Sequence, residues 1–184
     1  RHFVPMRVFI ILIFTAFTTG ALAQCPKNPV ISEELDEAYR SLKFAKFPRD
    51  AQVATDVLWS LWTRAPDNRA QRLLNRGMMN LRLGDLAAAE GFLSVLIKYC
   101  PDYAEGYNQR AFARYLAGNF EGALPDLARA LSIQPRHLGA LSGKGLTHLA
   151  LGQPELAEIE FRKEMALNPF TADRDLIPNL GTDL

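Results

Sequence analysis

The sequence predicts an all-α fold, a short right-handed α-solenoid built from helix-turn-helix units. The first observation is the equal spacing of Gly84, Gly118 and Gly152. Their period of about 34 residues falls in the range of about 20 to 50 that is typical of a solenoid. The second observation is that small residues and prolines repeat with the same period, at Gly77, Ala111 and Gly145, at Ala89, Ala123 and Ala157, and at Pro101, Pro135 and Pro169. Small residues recur where two helices touch closely, and proline recurs where a helix must end.

Each unit is predicted to consist of a helix, a tight turn, a second helix and a closing turn. In the middle unit the first helix runs from about Ala104 to Ala117, and Gly118 ends it in a left-handed conformation. Asn119 supplies the side chain that caps the second helix, and Pro135 closes the unit. The period gives three such units, at residues 70–103, 104–137 and 138–171.

The segments that flank these units are less regular. A degenerate copy of the unit is predicted at residues 35–69, after a lead-in at 24–34, because terminal repeats have one face toward water and depart from the pattern. Trp59 and Trp62 lie on its second helix, where we favour core packing over a partner-binding aromatic patch. Residues 172–184 are expected to form a short cap, a strand of chain lying in the groove or a frayed tail.

The N-terminal residues 1–23 have the pattern of an upstream extension followed by a signal peptide. Arg7 precedes an apolar run that continues to about Phe17, and Ala23 ends an A-x-A-type cleavage site. The run is short for a membrane span, which needs about 20 apolar residues. We therefore predict cleavage after Ala23, with an uncleaved membrane anchor or lipidation of Cys25 as the alternatives.

The chain has two cysteines, Cys25 and Cys100. Export to an oxidising compartment would permit a disulfide between them, which requires the two Cα atoms to approach within about 7 Å. Two unrelated thiols, one in a frayed terminus and one at a helix end, are the alternative, and the sequence leaves both open.

Composition and charge give no indication of catalysis or of nucleic-acid binding. The net charge is +1, and the loss of residues 1–23 would remove two of the 21 basic residues and none of the 20 acidic ones. We identify no basic run and no stripe of Lys or Arg interleaved with exposed aromatics. His2, His137 and His148 belong to no metal-binding motif, and no Ser-His-Asp arrangement or phosphate-binding glycine loop occurs. We therefore expect a protein that is not an enzyme and has neither cofactor nor metal.

The repeated residues resemble the tetratricopeptide repeat family, which has a small residue at the contact between the two helices, a Gly at the inner turn, a small Ala in the second helix and a terminal Pro. All three regular units match this pattern. The usual large aromatic of the first helix is kept as Tyr107 and replaced by Leu73 and Leu141. The segment Asn75-Arg76-Gly77 is similar to the N-R-G motif of a bacterial type of this family. With the signal peptide, that resemblance implies an exported protein of the bacterial periplasm.

Basic residues at one register of the first helices form a stripe of Arg76, Arg110 and Lys144. Asp126 follows Arg110 at the same spacing at which Glu160 follows Lys144. Each acid is predicted to lie on the second helix of its unit, facing the basic residue on the first. We favour ion pairs within each unit over a site for acidic ligand groups. In the first unit Phe92 occupies the acidic position, which would leave Arg76 to pair with Glu90 or with a ligand.

The family resemblance implies that the first helices line a concave groove that binds a helix or an extended peptide. Carried over by register, the predicted groove residues are Leu74, Met78, Arg82, Asn108, Phe112, Tyr115, Leu146 and Leu149. The carboxylate clamp of some eukaryotic members is not reproduced. We expect a non-catalytic adaptor that binds a protein or peptide, with no nucleic acid or metal, and with a membrane only through an uncleaved signal or a lipidated Cys25. The alternative is a structural assembly subunit of an envelope complex, oligomeric or tethered to the membrane through its N-terminus.

Overall fold

The computed structural model describes residues 25–27 and 31–177, and these confirm the all-α fold. The predicted signal peptide with its cleavage site after Ala23, and the end of the predicted tail, lie outside the described residues. The α-helices within the described ranges are α1 Ser32–Lys43, α2 Pro48–Trp62, α3 Asn68–Leu83, α4 Leu86–Tyr99, α5 Ala104–Leu116, α6 Phe120–Ile133, α7 Leu138–Ala150 and α8 Pro154–Leu167. A short 3₁₀ helix, Ala172–Leu176, follows them.

The inner turns of the three regular units are built in the same way. Gly84, Gly118 and Gly152 have φ angles of 77°, 75° and 69°, in the left-handed region that favours glycine. In the first of these turns Asp85 caps the next helix by accepting a hydrogen bond from the backbone N–H of Ala88, and Asn119 has the same role in the second. These turns reverse the chain so that α3 packs on α4, α5 on α6 and α7 on α8.

Small residues in the first helix of each unit allow the second helix to come close. A Cβ atom on Gly77 would lie 2.6 Å from Cγ of Leu93, and one on Gly145 would lie 2.6 Å from Cδ1 of Phe161. Ala111 occupies the equivalent place in the middle unit, packed in one buried cluster with Ala123. Close packing of the paired helices therefore accounts for this series of small residues. The same close packing accounts for the small residues of the second helices, Ala89, Ala123 and Ala157, which are fully buried.

Helices α1 and α2 form a hairpin that packs differently from the three regular units, since α2 makes little contact with α3. The buried residues of the hairpin form one cluster with Leu138, at the start of α7, and Leu167, at the end of α8, packs against that cluster. The ring of Trp62 stacks on His137 with centroids 4.1 Å apart, and the Tyr103 hydroxyl donates to the carbonyl oxygen of Trp62 at 2.7 Å. The hairpin is thus held against the turns that follow α4 and α6.

A disulfide joins Cys25 to Cys100, with Cα atoms 5.1 Å apart. Cys100 is buried at the end of α4, where it belongs to one cluster with Leu96 and Tyr103. The two cysteines are 75 residues apart in sequence, and both helices of the hairpin lie between them. The lead-in is therefore attached covalently to the end of the first regular unit.

At the C-terminal end of the solenoid, the segment after α8 covers the face that would otherwise be exposed. Ile177 is buried in one cluster with Ala157 and Phe161. The Thr171 hydroxyl donates to the Glu164 carboxyl at 2.8 Å. Burial raises the pKa of Glu164 to about 8, with the Thr171 hydrogen bond acting against this rise and the neighbouring Asp173 adding to it. The described part of the tail therefore packs as a cap.

Candidate binding groove

A cavity of about 320 Å³ opens on the face formed by α3, α5 and α7, and we refer to it as the groove. Six of the eight predicted groove residues line it, namely Met78, Arg82, Asn108, Phe112, Tyr115 and Leu146. They come together because the units are in register, so that one face of each first helix points to the same side. The lining is mostly apolar, with Arg82 as the one charged side chain among the described residues that line it.

Two predicted groove residues, Leu74 and Leu149, do not line the cavity. Leu74 is fully buried, in a cluster with Leu93 and Tyr103. Leu149 is partly buried and packs against the cluster that contains Phe161 and Ile177, at the covered end of the solenoid. Helical periodicity identifies the side of α3 and α7 on which the cavity lies, but it does not show where neighbouring segments cover that side.

Trp59 lines the groove, although the sequence favoured core packing for it. Its side chain is 40% exposed, and the same cavity is lined by Met78 and Phe112. It meets Trp62 edge to face, with ring centroids 6.4 Å apart. Of the two tryptophans, Trp62 is buried as predicted and Trp59 is not. The reason is the position of the hairpin, which brings α2 to the side of the groove.

Behind the residues that line the groove lies a network of buried polar side chains. The carboxylate of Glu105 accepts hydrogen bonds from Asn108 at 3.1 Å and from Gln109 at 2.6 Å. It also lies 2.9 Å from Nε2 of His137. Nδ1 of His137 accepts the backbone N–H of Ala140 at 3.2 Å, so Nε2 must carry the proton that is donated to Glu105. Since Asn108 lines the groove and His137 stacks on the hairpin, this network connects the two.

The stripe of basic residues is engaged within the protein at two of its three positions. Arg110 donates two hydrogen bonds to Asp126, at 2.8 and 2.6 Å, and the bond to this carboxylate raises the pKa of Arg110. Lys144 lies 3.0 Å from Glu160. Such partly buried pairs fix the facing helices to each other rather than offering a charge to a ligand.

Arg76 does not pair with Glu90. Its guanidinium lies 5.5 Å from the ring centroid of Phe92. Glu90 accepts instead from Arg114 of the next unit, at 2.7 Å. The reason is that the repeat register places an aromatic ring opposite Arg76, where the other units have a carboxylate.

Two kinds of feature are absent from the part of the chain that the structure describes. None of the helices in residues 31–177 is long and apolar enough to cross a membrane. In the described ranges, no three His, Cys, Asp or Glu side chains are grouped so that they could hold a metal ion.

Curated proteins resemble the chain over most of its length, although no family model matches it. A TPR repeat-containing protein of Rhizobium etli is 28% identical over 142 residues, which are 77% of this chain and 69% of that protein. Tetratricopeptide repeat protein 36 of Mus musculus is 33% identical over 156 residues, which are 83% of this chain and 76% of that protein.

Solved structures resemble the chain in fold. The TPR domain of Arabidopsis OM64 superposes with a TM-score of 0.57 at 21% identity, over 59% of this chain and 89% of that one. The first TPR of Spaghetti (RPAP3), bound to the HSP90 peptide SRMEEVD, gives a TM-score of 0.57 at 20% identity, over 58% of this chain and 85% of that one. At these identities the likeness concerns the architecture alone.

Proposed function

Because the chain belongs to the tetratricopeptide repeat family, we propose that it is a non-catalytic adaptor that binds a segment of a protein or peptide in the groove. The observation that supports this most directly is the apolar lining of the groove. Phe112 is 49% exposed there, and Met78 and Leu146 are only partly covered. Apolar side chains left accessible in a concave site are typical of a surface that has a partner.

The size of the groove indicates how much of the partner is bound. About 320 Å³ accommodates a few side chains rather than a whole helix. We infer that one or two large apolar side chains enter the cavity, while the rest of the segment runs over α3, α5 and α7. That the Spaghetti domain binds an HSP90 peptide supports a peptide ligand in general.

We also propose that the protein is exported to the periplasm of a bacterium, as its N-terminal pattern and the N-R-G motif predict. The relatives come from a bacterium and from animals, so the bacterial subtype stays a prediction. The disulfide between Cys25 and Cys100 supports export, because disulfides persist in oxidising compartments.

The test uses two adjacent methionines. Met78 lines the groove, whereas Met79 is 49% exposed and does not line it. Peptides would be selected from a displayed library on residues 24–184, and their affinities measured by fluorescence anisotropy for Met78→Ala, Phe112→Ala and the control Met79→Ala. We expect at least tenfold weaker binding for the first two and unchanged binding for the control, since burial of a large apolar side chain contributes about 1.5 to 3 kcal/mol.

Equal affinities for all three variants would contradict the groove assignment and move the site elsewhere. If no peptide is selected and the protein sediments as an oligomer, the structural-subunit alternative replaces the adaptor.

A further inference from the structure

Two aromatic side chains project from the turn between α1 and α2. Phe44 is 73% exposed and Phe47 is 64% exposed, among the most exposed large apolar side chains of the described residues. Three cations, Lys43, Lys46 and Arg49, are interspersed with them and are exposed as well. We call these five residues the tip. The repeat pattern does not predict this group of exposed aromatic and basic side chains, because the tip occupies the position of an inner turn in the predicted degenerate repeat.

The structure gives the tip almost no partners of its own. Among the described residues, none of its three cations forms an ion pair, although Arg40 on the same hairpin pairs with Glu37. Within the described ranges, the one cation–ring contact of the tip joins Lys43 to its neighbour Phe44, 5.9 Å from the ring centroid. Folding thus leaves two phenyl rings in water, which is unfavourable unless something else covers them.

We propose that the tip binds the surface of a lipid bilayer that contains anionic lipids. The rings of Phe44 and Phe47 would enter the boundary between headgroups and acyl chains, and Lys43, Lys46 and Arg49 would contact the anionic headgroups. Apolar side chains flanked by cations are the composition that such interfaces select. Each Lys or Arg near an anionic leaflet strengthens binding by roughly fivefold.

The shape of the tip favours a bilayer over a protein. The tip is the convex end of a hairpin, and a specific protein interface needs about 800 Å² from each partner with complementary shapes. A bilayer accommodates a small protrusion without a preformed pocket. The local charge also favours a bilayer with anionic lipids. The tip has three cations and is followed by a single acid, Asp50, whereas the net charge of the whole chain is only +1.

Backbone features hold both rings outward. Phe44 follows the end of α1, and Phe47 precedes the start of α2, with Pro48 as the first helical residue. Proline at that position fixes the backbone where the helix begins. The hairpin behind the tip is anchored by its buried cluster and by the Trp62 stack on His137. Neither phenyl ring lines the groove, so the tip and the groove use different residues.

The test measures co-sedimentation of residues 24–184 with lipid vesicles. This form contains every described residue and lacks the apolar run that ends near Phe17, which would itself bind lipid. One set of vesicles is phosphatidylcholine alone, and the other is about three parts phosphatidylcholine to one part phosphatidylglycerol. We expect binding to the anionic vesicles only, a roughly fivefold loss for each of Lys43→Gln and Lys46→Gln, and a loss of at least tenfold in the double variant Phe44→Ser, Phe47→Ser.

Matched controls lie elsewhere on the surface. Leu83→Ser removes a side chain that is also 73% exposed, and Lys98→Gln removes an exposed cation. Neither control should change vesicle binding. If wild type does not bind anionic vesicles, or the tip variants bind as wild type does, the proposal is wrong. Retention on polyglutamate or on double-stranded DNA without vesicle binding would also overturn it, in favour of an acidic protein or a nucleic acid.

Discussion

The same substitution, Gly to Ala, should have opposite effects at two helical positions. Gly145 lies in α7, where a Cβ atom would come within 2.6 Å of Cδ1 and 2.8 Å of Cζ of Phe161, and closer still to Cε1. Gly91 lies in α4 with no atom within 4 Å of the equivalent position. Both residues sit inside helices, so the intrinsic preference for Ala over Gly, about 1 kcal/mol, applies to both.

The magnitudes follow from these distances. Ordinary contact with a Cβ atom begins at 3.4 Å, so the Phe161 ring would have to withdraw by about 1 Å, and overpacking of this kind costs about 1 to 3 kcal/mol. Phe161 is fully buried in one cluster with Ile177, which limits its retreat and places the cost in the upper part of that range. After the helix preference is subtracted, we expect Gly145→Ala to lower the free energy of unfolding by about 1 to 2 kcal/mol. Gly91→Ala should raise it by about 1 kcal/mol.

Urea denaturation followed by helical circular dichroism tests both expectations. With a slope of about 1 to 3 kcal/mol per molar urea, the two midpoints should move in opposite directions from wild type. The double variant Gly145→Ala, Phe161→Leu should recover part of the loss that Gly145→Ala causes, once the cost of Phe161→Leu alone is allowed for. A midpoint for Gly145→Ala at or above wild type would refute the close-contact reasoning.

Three other predictions concern the groove, a buried carboxyl and the disulfide. Trp59→Ala should weaken binding of a selected peptide about tenfold, whereas Val57→Ala, at an exposed position of α2 outside the groove, should not; equal effects in anisotropy titrations would remove Trp59 from the site. Glu164 has a pKa of about 8 in the folded protein against 4.5 as its ordinary value, so the folded state holds the proton more tightly and the free energy of unfolding should fall as pH rises from about 5 to 8. Glu164→Gln should flatten that dependence in urea titrations across this range, and an unchanged slope would assign it to another group. Cys25→Ser should lower the free energy of unfolding by up to about 4 kcal/mol, as should reduction of the wild-type bond to Cys100; equal stability with and without reductant would contradict this.

Sequence periodicity accounts well for what lies inside a single unit. Gly118 can be predicted because a left-handed turn residue is a local requirement that glycine meets best. The pair of Arg110 and Asp126 can be predicted because their spacing spans one inner turn and places both on facing helices. Each of these features depends on the backbone of one helical hairpin, which the repeat specifies directly.

Features that depend on contacts between distant segments could not be predicted in this way. The exposure of Trp59 follows from where α2 lies, and that position depends on the stack of Trp62 with His137, two repeats further along the chain. Nothing in the register of a degenerate repeat reveals that contact. Leu74 shows the same limit, because its cluster includes Tyr103 from the turn after α4.

Helix α2 connects the two candidate surfaces, and this constrains how they can work together. Phe47 precedes its first turn and Trp59 lies near its last, so about 12 residues and about 18 Å along the helix axis separate the two. With α2 upright on the bilayer, a tip inserted about 5 to 10 Å into the headgroup boundary would leave the groove outside the headgroups. The buried cluster fixes α2 against the start of α7, so the groove would be held at a set distance from the membrane. A partner bound in it would be presented close to the bilayer, and the two surfaces would act in one assembly without competing for the same residues.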